Sequence, residues 1–454
     1  MVKRRTVLLG GAATAGALVI GWGVMPPRQR LHPSDPLPQT SGQAALNGWV
    51  KVGADNTVTV MMAKSEMGQG AHTGLAAILA EELDADWAQV RLEMTPIDDI
   101  YNNLATVVDG LPFHPDNDGS MKAVAGWLTA KTMREVGVMM TGGSSSIKDL
   151  WLPMREAGAH ARAMLIRAAA AQWGVQATEC TANAGWVEHS AGQRATFGEL
   201  AALAAQQPMP GKVTLKEPAQ FKLIGKPLTR IEAPSKLDGT AVFGIDANPP
   251  GLLHACLVMC PTRGGKVARF DAAAAQKLPG VKHVLEVAPY HGGTGGVAVI
   301  ADTPWHAKKA AAAVTVEWDH GPAATLSSET VMARLAQALD QAKGFGYHSA
   351  GDVDAAMQGA ATTITADYRA PYLAHAALEP INCTVQFKDG AATVWTSTQV
   401  PGLARRAAAK ALGIDDEKVT LHQLLLGGGF GRRLEADYVA QAAAIAKVAG
   451  GAPV

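Results

Sequence analysis

Three short stretches of this sequence combine glycines with hydroxyl, amide or guanidinium side chains, a mixture suited to holding an anion. The richest is Gly427-Gly428-Gly429-Phe430-Gly431-Arg432-Arg433. The others are Ser65-Glu66-Met67-Gly68-Gln69-Gly70-Ala71-His72-Thr73 and Thr141-Gly142-Gly143-Ser144-Ser145-Ser146. Glycine permits positive φ and lets backbone N–H groups approach a ligand. Where such a turn opens a helix, the free N–H groups favour a negative charge, and arginine strengthens the preference. The implied chemistry is the cradling of a phosphate or pyrophosphate of a bound cofactor. The competing reading is a structural strand–helix turn, which one short motif does not exclude. A different chemistry is suggested by His254, Cys256 and Cys260, residue types that can hold a metal. They lie in the apolar run Leu252-Leu253-His254-Ala255-Cys256-Leu257-Val258-Met259-Cys260, which reads as a buried strand whose cysteines are core residues.

The surrounding patterns supply the elements that would position these turns. Leu424, Leu425 and Leu426 end a strand over 418–426, and a helical pattern follows from Glu435 through Tyr438, Ala442 and Ile445. A helix over 73–84 follows the second stretch, with Leu75, Ile78, Leu79 and Leu83 on one face, and a helix over 151–173 follows the third. Period-two alternation from Leu46, broken at Gly53-Ala54-Asp55-Asn56, reads as a hairpin, with a further strand near Trp87–Asp98 and a helix over 121–137. Strands are expected at 362–369, 382–388 and 392–397, and a helix at 401–412. Between the two glycine-bearing regions, 225–322 has a different texture: short strands near 240–261, 281–287, 296–302 and 312–321, with helices near 270–278 and 305–312.

Taken together, the motifs resemble the molybdenum-cofactor subunits of the xanthine oxidase family, in the branch of isoquinoline 1-oxidoreductase beta subunits and related periplasmic aldehyde dehydrogenases. The likeness rests on Gly68-Gln69-Gly70 with Ala80-Glu81-Glu82-Leu83 in the following helix, on the run 427–447, and on His375-Ala376-Ala377-Leu378-Glu379-Pro380. It covers nearly all of the chain after residue 40. It implies an α+β fold, a permuted molybdenum-cofactor-binding domain with an inserted α/β-hammerhead domain. The expected parts are a cofactor domain over 46–215, the hammerhead over 216–322, a connector over 323–350, and the rest of the cofactor domain over 351–454. It implies molybdopterin cytosine dinucleotide as cofactor, whose pyrophosphate and pterin phosphate explain three glycine turns. The metal would be held by the pterin dithiolene, so no protein metal ligand is expected. The reaction implied is hydroxylation of aldehydes or N-heterocycles with water as oxygen donor, a glutamate acting as base.

By resemblance, Gly68, Gln69 and Gly70 bind pterin and phosphates, with Thr73 and His72 beside them or Thr73 simply capping its helix. Gly143, Ser144 and Ser145 offer hydroxyl and N–H donors, or form a serine-rich cap. Gly428, Gly429, Phe430 and Gly431 lie beside the molybdenum, Phe430 flanking the substrate cavity. Arg432 and Arg433 either neutralise cofactor phosphate or ion-pair with Glu435 and Asp437. Relatives carry a glutamine where Leu373 stands, a departure near the metal's apical oxygen. Glu379 reads as a buried structural carboxylate. The general-base glutamate, which relatives carry in a Gly-Glu-Pro context, has no counterpart here, since no Gly-Glu-Pro occurs in the sequence. The expectation is a C-terminally truncated chain, inactive unless a missing C-terminal segment or second polypeptide supplies the base. The alternative is a non-catalytic cofactor-binding or assembly fragment.

Composition sets outer bounds. The chain has 454 residues with 40 basic and 40 acidic side chains, so no charge excess points to nucleic acid. Its 4 cysteines contain no C-x-x-C, which argues against an iron–sulfur cluster in this chain, and the resemblance then implies [2Fe–2S] clusters in a small partner subunit. Residues 1–24 start with Lys3-Arg4-Arg5 and continue as a glycine- and alanine-rich apolar run. They read as a twin-arginine export signal, or a membrane tether if uncleaved, followed by a linker over 25–45. The expected location is periplasmic. No Walker lysine or dinucleotide Gly-x-Gly-x-x-Gly follows a strand, which weighs against an unrelated nucleotide-binding protein.

Overall fold

The computed structural model describes residues 28–454 apart from 291–292, 342–343, 345 and 347–348. The export signal expected over 1–24 lies outside the described residues. Among those described, no helix is long and apolar enough to cross a membrane.

The architecture is α+β, and one unit occurs twice. In the first copy β1 (Gln43–Asn47), β2 (Val50–Gly53) and β3 (Val58–Met62) are antiparallel neighbours. Helix α1 (Ala71–Leu83) then returns the chain to β4 (Val90–Met94), which lies parallel to β3. The parallel pair requires a crossover, and α1 supplies it. Helix α2 (Ser120–Val136) and the long α3 (Ser146–Trp173) follow. A meander of β5 (Cys180–Asn183), β6 (Trp186–His189) and β7 (Arg194–Thr196) and helix α4 (Phe197–Ala204) come next. Helices α1 and α3 pack at close range because Gly158 has no side chain: a Cβ there would lie 2.4 Å from the Leu79 carbonyl oxygen. Pro153 sits inside α3 and cannot donate to the Asp149 carbonyl. Arg30 Nη1 donates to that oxygen instead, at 3.4 Å.

The middle segment holds β8 (His254–Met259), β9 (Lys266–Asp271), β10 (Val281–Val287), β11 (Gly296–Ala301), α5 (Pro304–Ala311) and β12 (Thr315–Asp319). Its sheets are β10-β11-β8 and β12-β9. His254 and Cys256 lie on a strand, β8, as the apolar run suggested, but the strand is only part-buried, and Cys256 with it, whereas Cys260 just after it is buried; all 4 cysteines are free thiols. The helix expected over 270–278 shrinks to a single 3-10 turn, Ala275–Lys277, because residues 270–271 are the end of β9 and pair with β12. The connector expected over 323–350 contains a solvent-exposed helix, α6 (Ser328–Gln341).

The second copy of the unit is β13 (Thr384–Lys388), β14 (Ala391–Thr396), α7 (Pro401–Leu412) and β15 (Val419–Gln423). Strand β14 is antiparallel to β13 and parallel to β15. Helix α8 (Asp437–Ala446) closes it. The strand expected over 362–369 does not form: the stretch is exposed and carries no strand pairing, with Ile364 88% and Tyr368 93% accessible.

Candidate functional site

The site lies where the loops leaving the carboxyl ends of β3 and β14 meet, the position at which parallel strand pairs present binding loops. The β3 loop is 63–70 and contains the first glycine turn. The β14 loop is Ser397-Thr398-Gln399-Val400, all buried. Ser65 Oγ donates to the Thr398 carbonyl at 2.9 Å, and Gln423 Nε2 donates to Ser65 Oγ at 2.6 Å. The second glycine turn enters through Thr141, whose Oγ1 accepts from the Ser65 amide at 2.8 Å and whose own amide donates to Gln399 O at 2.9 Å. The third turn is joined through the Gln399 amide, which donates to the Arg433 carbonyl at 3.0 Å. The three glycine turns, far apart in sequence, are thus one knot.

The turns are built as their glycines require. Gly68, Gly70, Gly143, Gly428 and Gly431 have positive φ, and so do two non-glycine residues, Ser144 at 53° and Phe430 at 49°. Such backbone in an aromatic residue is uncommon and concentrates at functional sites. The Phe430 ring is 70% exposed. Gly429 has ordinary φ, and its constraint is space. A Cβ there would stand 2.4 Å from Met67 Sδ and 2.8 Å from Gln399 Oε1.

The free amides expected of the Gly68–Gly70 turn are already committed. Glu66 Oε1 accepts from the amides of Gly68 and Gly70 at 2.8 and 3.0 Å, and Oε2 accepts from His72 at 3.0 Å. The negative charge that suits a helix start is therefore supplied by the chain itself. Gln69 also closes on its own loop, accepting from the Met67 amide at 2.6 Å and donating to Ser65 O at 2.8 Å. Thr73 caps nothing: its hydroxyl accepts from the Ile231 amide at 3.0 Å and donates to Glu232 at 3.3 Å. His72 Nε2 donates to the Lys64 carbonyl at 2.8 Å, and burial pushes its pKa down.

Burial alone would raise the Glu66 pKa, but the three amides hold it below its ordinary 4.5. A depressed carboxylate stabilises the fold above its ordinary pKa, and this contribution is lost as pH falls through the folded value. Glu66→Gln is therefore expected to lower stability at pH 7 by about 1.5–3 kcal/mol, the range for hydrogen bonds to a charged group. It should also flatten part of the stability loss below about pH 4.5. Chemical unfolding at pH 7 and pH 4 checks this; parallel pH curves for the two proteins would show that Glu66 does not hold the loop through its charge.

Gly143 and Ser144 are exposed, whereas Ser145 is buried and saturated, its hydroxyl meeting Gly142 O at 2.7 Å, Asn103 Nδ2 at 2.7 Å and Thr106 Oγ1 at 2.8 Å. The two arginines part company. Arg432 forms a bidentate pair with Asp437 at 2.8 and 2.9 Å, one of the partners offered above. Arg433 does not reach Glu435. It is fully buried against Glu379 Oε2 at 2.8 Å, and its other N–H groups bond the carbonyls of Gly428, Ser397 and Glu379. Glu379 also accepts from the amides of Gly427 at 2.8 Å and Ile245 at 3.0 Å, so it ties the third turn to the middle segment. Leu373 is exposed, and His375 Nδ1 lies 4.0 Å from where a Gly431 Cβ would be.

Two participants are not apparent from the sequence. Glu66 stands inside the first glycine motif, but nothing in that motif marks it as the acceptor of the turn's amides. Gln399 is 2% exposed; its Nε2 donates to Thr141 O at 2.7 Å, while its Oε1 has no hydrogen-bond partner among the described residues and lies against Gly429. Such an orphaned acceptor is costly unless something donates to it. The available signal is positional: Gln399 lies between β14 and α7 as Gln69 lies between β3 and α1. A buried acceptor, a bare glycine and an exposed aromatic at one point fit a polar, flat cofactor.

Comparison with known proteins gives two matches to family models described as molybdopterin cofactor-binding domain, over residues 10–107 and 336–454. The chain is 32% identical to the membrane-bound aldehyde dehydrogenase [pyrroloquinoline-quinone] of Gluconacetobacter polyoxogenes, across 89% of this chain and 49% of that protein. It is 30% identical to the isoquinoline 1-oxidoreductase beta chain of Brevundimonas diminuta, across 89% of this chain and 53% of that protein. It is 25% identical to a nicotinate dehydrogenase component of Pseudomonas putida, across 96% of this chain and 34% of that protein. The chain thus spans about half the length of the first two.

Proposed function

Because the chain belongs to the xanthine oxidase family, in the branch of isoquinoline 1-oxidoreductase beta chains and membrane-bound aldehyde dehydrogenases, we propose that it is the cofactor-binding subunit of a molybdenum hydroxylase. The reaction is hydroxylation of an aldehyde or N-heterocycle with water as oxygen donor. The observation that carries this reading is the meeting of three glycine turns around Gln399 Oε1, which is unpartnered among the described residues and lies against the buried Gly429. The cofactor is molybdopterin cytosine dinucleotide. When bound, it supplies a metal centre that accepts two electrons from the substrate.

This chain's own residues do the positioning. Gln399 Oε1 accepts a hydrogen bond from the bound group, Gly429 leaves the space that Gln399 and Met67 fill, and Phe430 forms a wall against bulk water. Thr141 keeps Gln399 oriented by accepting from its Nε2. Two of the site's carboxylates are engaged: Glu66 caps α1 and Glu379 pairs with Arg433. On the resemblance, the general base is assigned to polypeptide other than these residues, as is the electron exit through [2Fe–2S] clusters in a small partner subunit. The cysteines here are dispersed: Cys180 on β5, Cys256 on β8, Cys260 just after β8 and Cys383 just before β13; burial pushes the thiols of Cys180 and Cys256 up, and that of Cys383 up to about 12. In this reading β8 to β12 form the hammerhead inserted into a permuted cofactor domain, and Arg4 and Arg5 direct periplasmic export.

Metal analysis of the protein purified from a molybdenum-replete periplasm tests the proposal. Near-stoichiometric molybdenum with CMP released on acid hydrolysis is expected, and Arg4→Lys with Arg5→Lys should hold the loaded protein in the cytoplasm. Folded protein carrying neither molybdenum nor CMP would overturn it.

A further inference from the structure

Beside the third glycine turn lies a cleft of about 840 Å³, within the range of small-molecule sites. One wall is the middle segment, with Arg263 and Tyr290. Another is α7, with Arg406 and Lys410. The floor is the turn itself, from Gly431 and Arg432 to Asp437. His375, from the segment that crosses the turn, also faces it.

The lining is polarised. It holds Arg263, Arg406, Lys410 and Arg432 against Glu435 and Asp437. Arg432 and Asp437 neutralise each other in a bidentate pair, which leaves three cations against Glu435. Arg406 has an ion-pair partner at 3.6 Å in Asp416, which is not part of the lining. A cleft walled by protein and lined by an excess of one sign focuses its field and concentrates ligands of the opposite sign. Lys410 lies 5.9 Å from the centre of the Tyr290 ring, so cation and aromatic face are offered together. A neutral aldehyde has no use for that pairing; a flat ring bearing a carboxylate matches both parts of it.

We propose that this cleft holds the anionic end of the substrate, making aromatic or heteroaromatic compounds that bear a carboxylate the preferred class. Lys410 and Arg263 are the specificity-determining residues. The inference rests on the molybdenum hydroxylase reading and deepens it. The turn joins the two parts of the site: Gly431 lines the cleft, and Phe430 and Gly429 precede it at the cofactor position. The carboxylate sits among the cations while the ring reaches toward the turn.

The test uses the complete holoenzyme with two substrate pairs that differ in charge, nicotinate against nicotinamide and 4-carboxybenzaldehyde against benzaldehyde. The native enzyme should favour the charged member of each pair at least about tenfold in kcat/KM. Lys410→Glu and Arg263→Glu should each cut that ratio by about ten- to a hundredfold, the loss of one charge-assisted contact. A native ratio near one, or a ratio unmoved by both variants, overturns the proposal. Molybdenum and CMP are measured in the same preparations. Their loss in the variants would show that the cleft holds the cofactor's phosphate instead, which also overturns it. A native protein without molybdenum would sink the hydroxylase reading but not this arm: benzoate titrated into the chain by NMR should bind the native protein and not Lys410→Glu. No benzoate binding to the native chain rules the anion site out directly.

Discussion

Gly429→Val is expected to strip the molybdenum from the protein while leaving most of the fold standing. The reason is spatial rather than conformational. Gly429 has φ that any residue can adopt, unlike Gly428 at 99° and Gly431 at 84° on either side. Its Cβ, however, would meet Met67 Sδ at 2.4 Å and Gln399 Oε1 at 2.8 Å. Met67 belongs to the first glycine turn and Gln399 to the buried β14 loop, so a side chain there drives apart two of the loops that the knot unites. The side chain of Met67 can move, but Gln399 is fixed by Thr141 and cannot yield without breaking that bond. Overpacking of this kind costs about 1–3 kcal/mol, a fraction of a typical domain's stability. The fold survives that cost, but a cofactor seat displaced by an ångström does not survive as a seat. Molybdenum per chain should fall from near one to near zero in Gly429→Val and to an intermediate level in Gly429→Ala. Gly211→Ala, where an added Cβ meets nothing within 4 Å, should bind normally. Stoichiometric molybdenum in a folded Gly429→Val protein would show that the cofactor does not approach this backbone.

What could be read from the sequence was what local chemistry imposes. The glycine turns announced themselves because positive φ at Gly68, Gly70, Gly143, Gly428 and Gly431 excludes most other residues. Helix α7 was delimited at both ends, by Pro401 in its first turn and by Gly413 in the left-handed region after its last residue. The hairpin of β2 and β3 followed from alternation around Asp55-Asn56. What could not be read depends on partners distant in the chain. The first residues of the helix read over 270–278, Phe270 and Asp271, belong instead to β9 through pairing with Val316 and Thr315 of β12. The destination of the Gly68 and Gly70 amides was hidden because Glu66, two residues before the glycines, folds back onto them. Gln399 was hidden because a lone amide side chain between a strand and a helix has no pattern; only the recurrence of the same unit around β3 and β14 gives it meaning. For Arg433, sequence proximity pointed to Glu435 and Asp437, whereas its partner is Glu379, over fifty residues away.

That last pair carries the second large effect. Glu379→Gln is expected to destabilise the protein by about 3–5 kcal/mol, the cost of leaving one member of a buried ion pair uncompensated. The side chains of Arg433 and Glu379 are 0% and 5% exposed, so water cannot take over the role of either. The loss spreads beyond the pair, because Glu379 also receives the amides of Gly427 and Ile245. One neutral amide oxygen cannot serve all of these donors at once. The third glycine turn would therefore loosen at its first residue, and molybdenum retention should fall along with stability. Arg432 and Asp437 provide the contrast within the same stretch. Their side chains remain 30% and 21% exposed, so Asp437→Asn should cost no more than about 1 kcal/mol. A double-mutant cycle separates the charge effect from loss of packing. Arg433→Met combined with Glu379→Gln removes the orphaned guanidinium and should recover part of the stability lost in Glu379→Gln alone. Denaturant unfolding of the four proteins reads the coupling directly. If the double variant is less stable than Glu379→Gln by the full cost of the single Arg433→Met, the two residues act independently and the turn is not anchored through their charges.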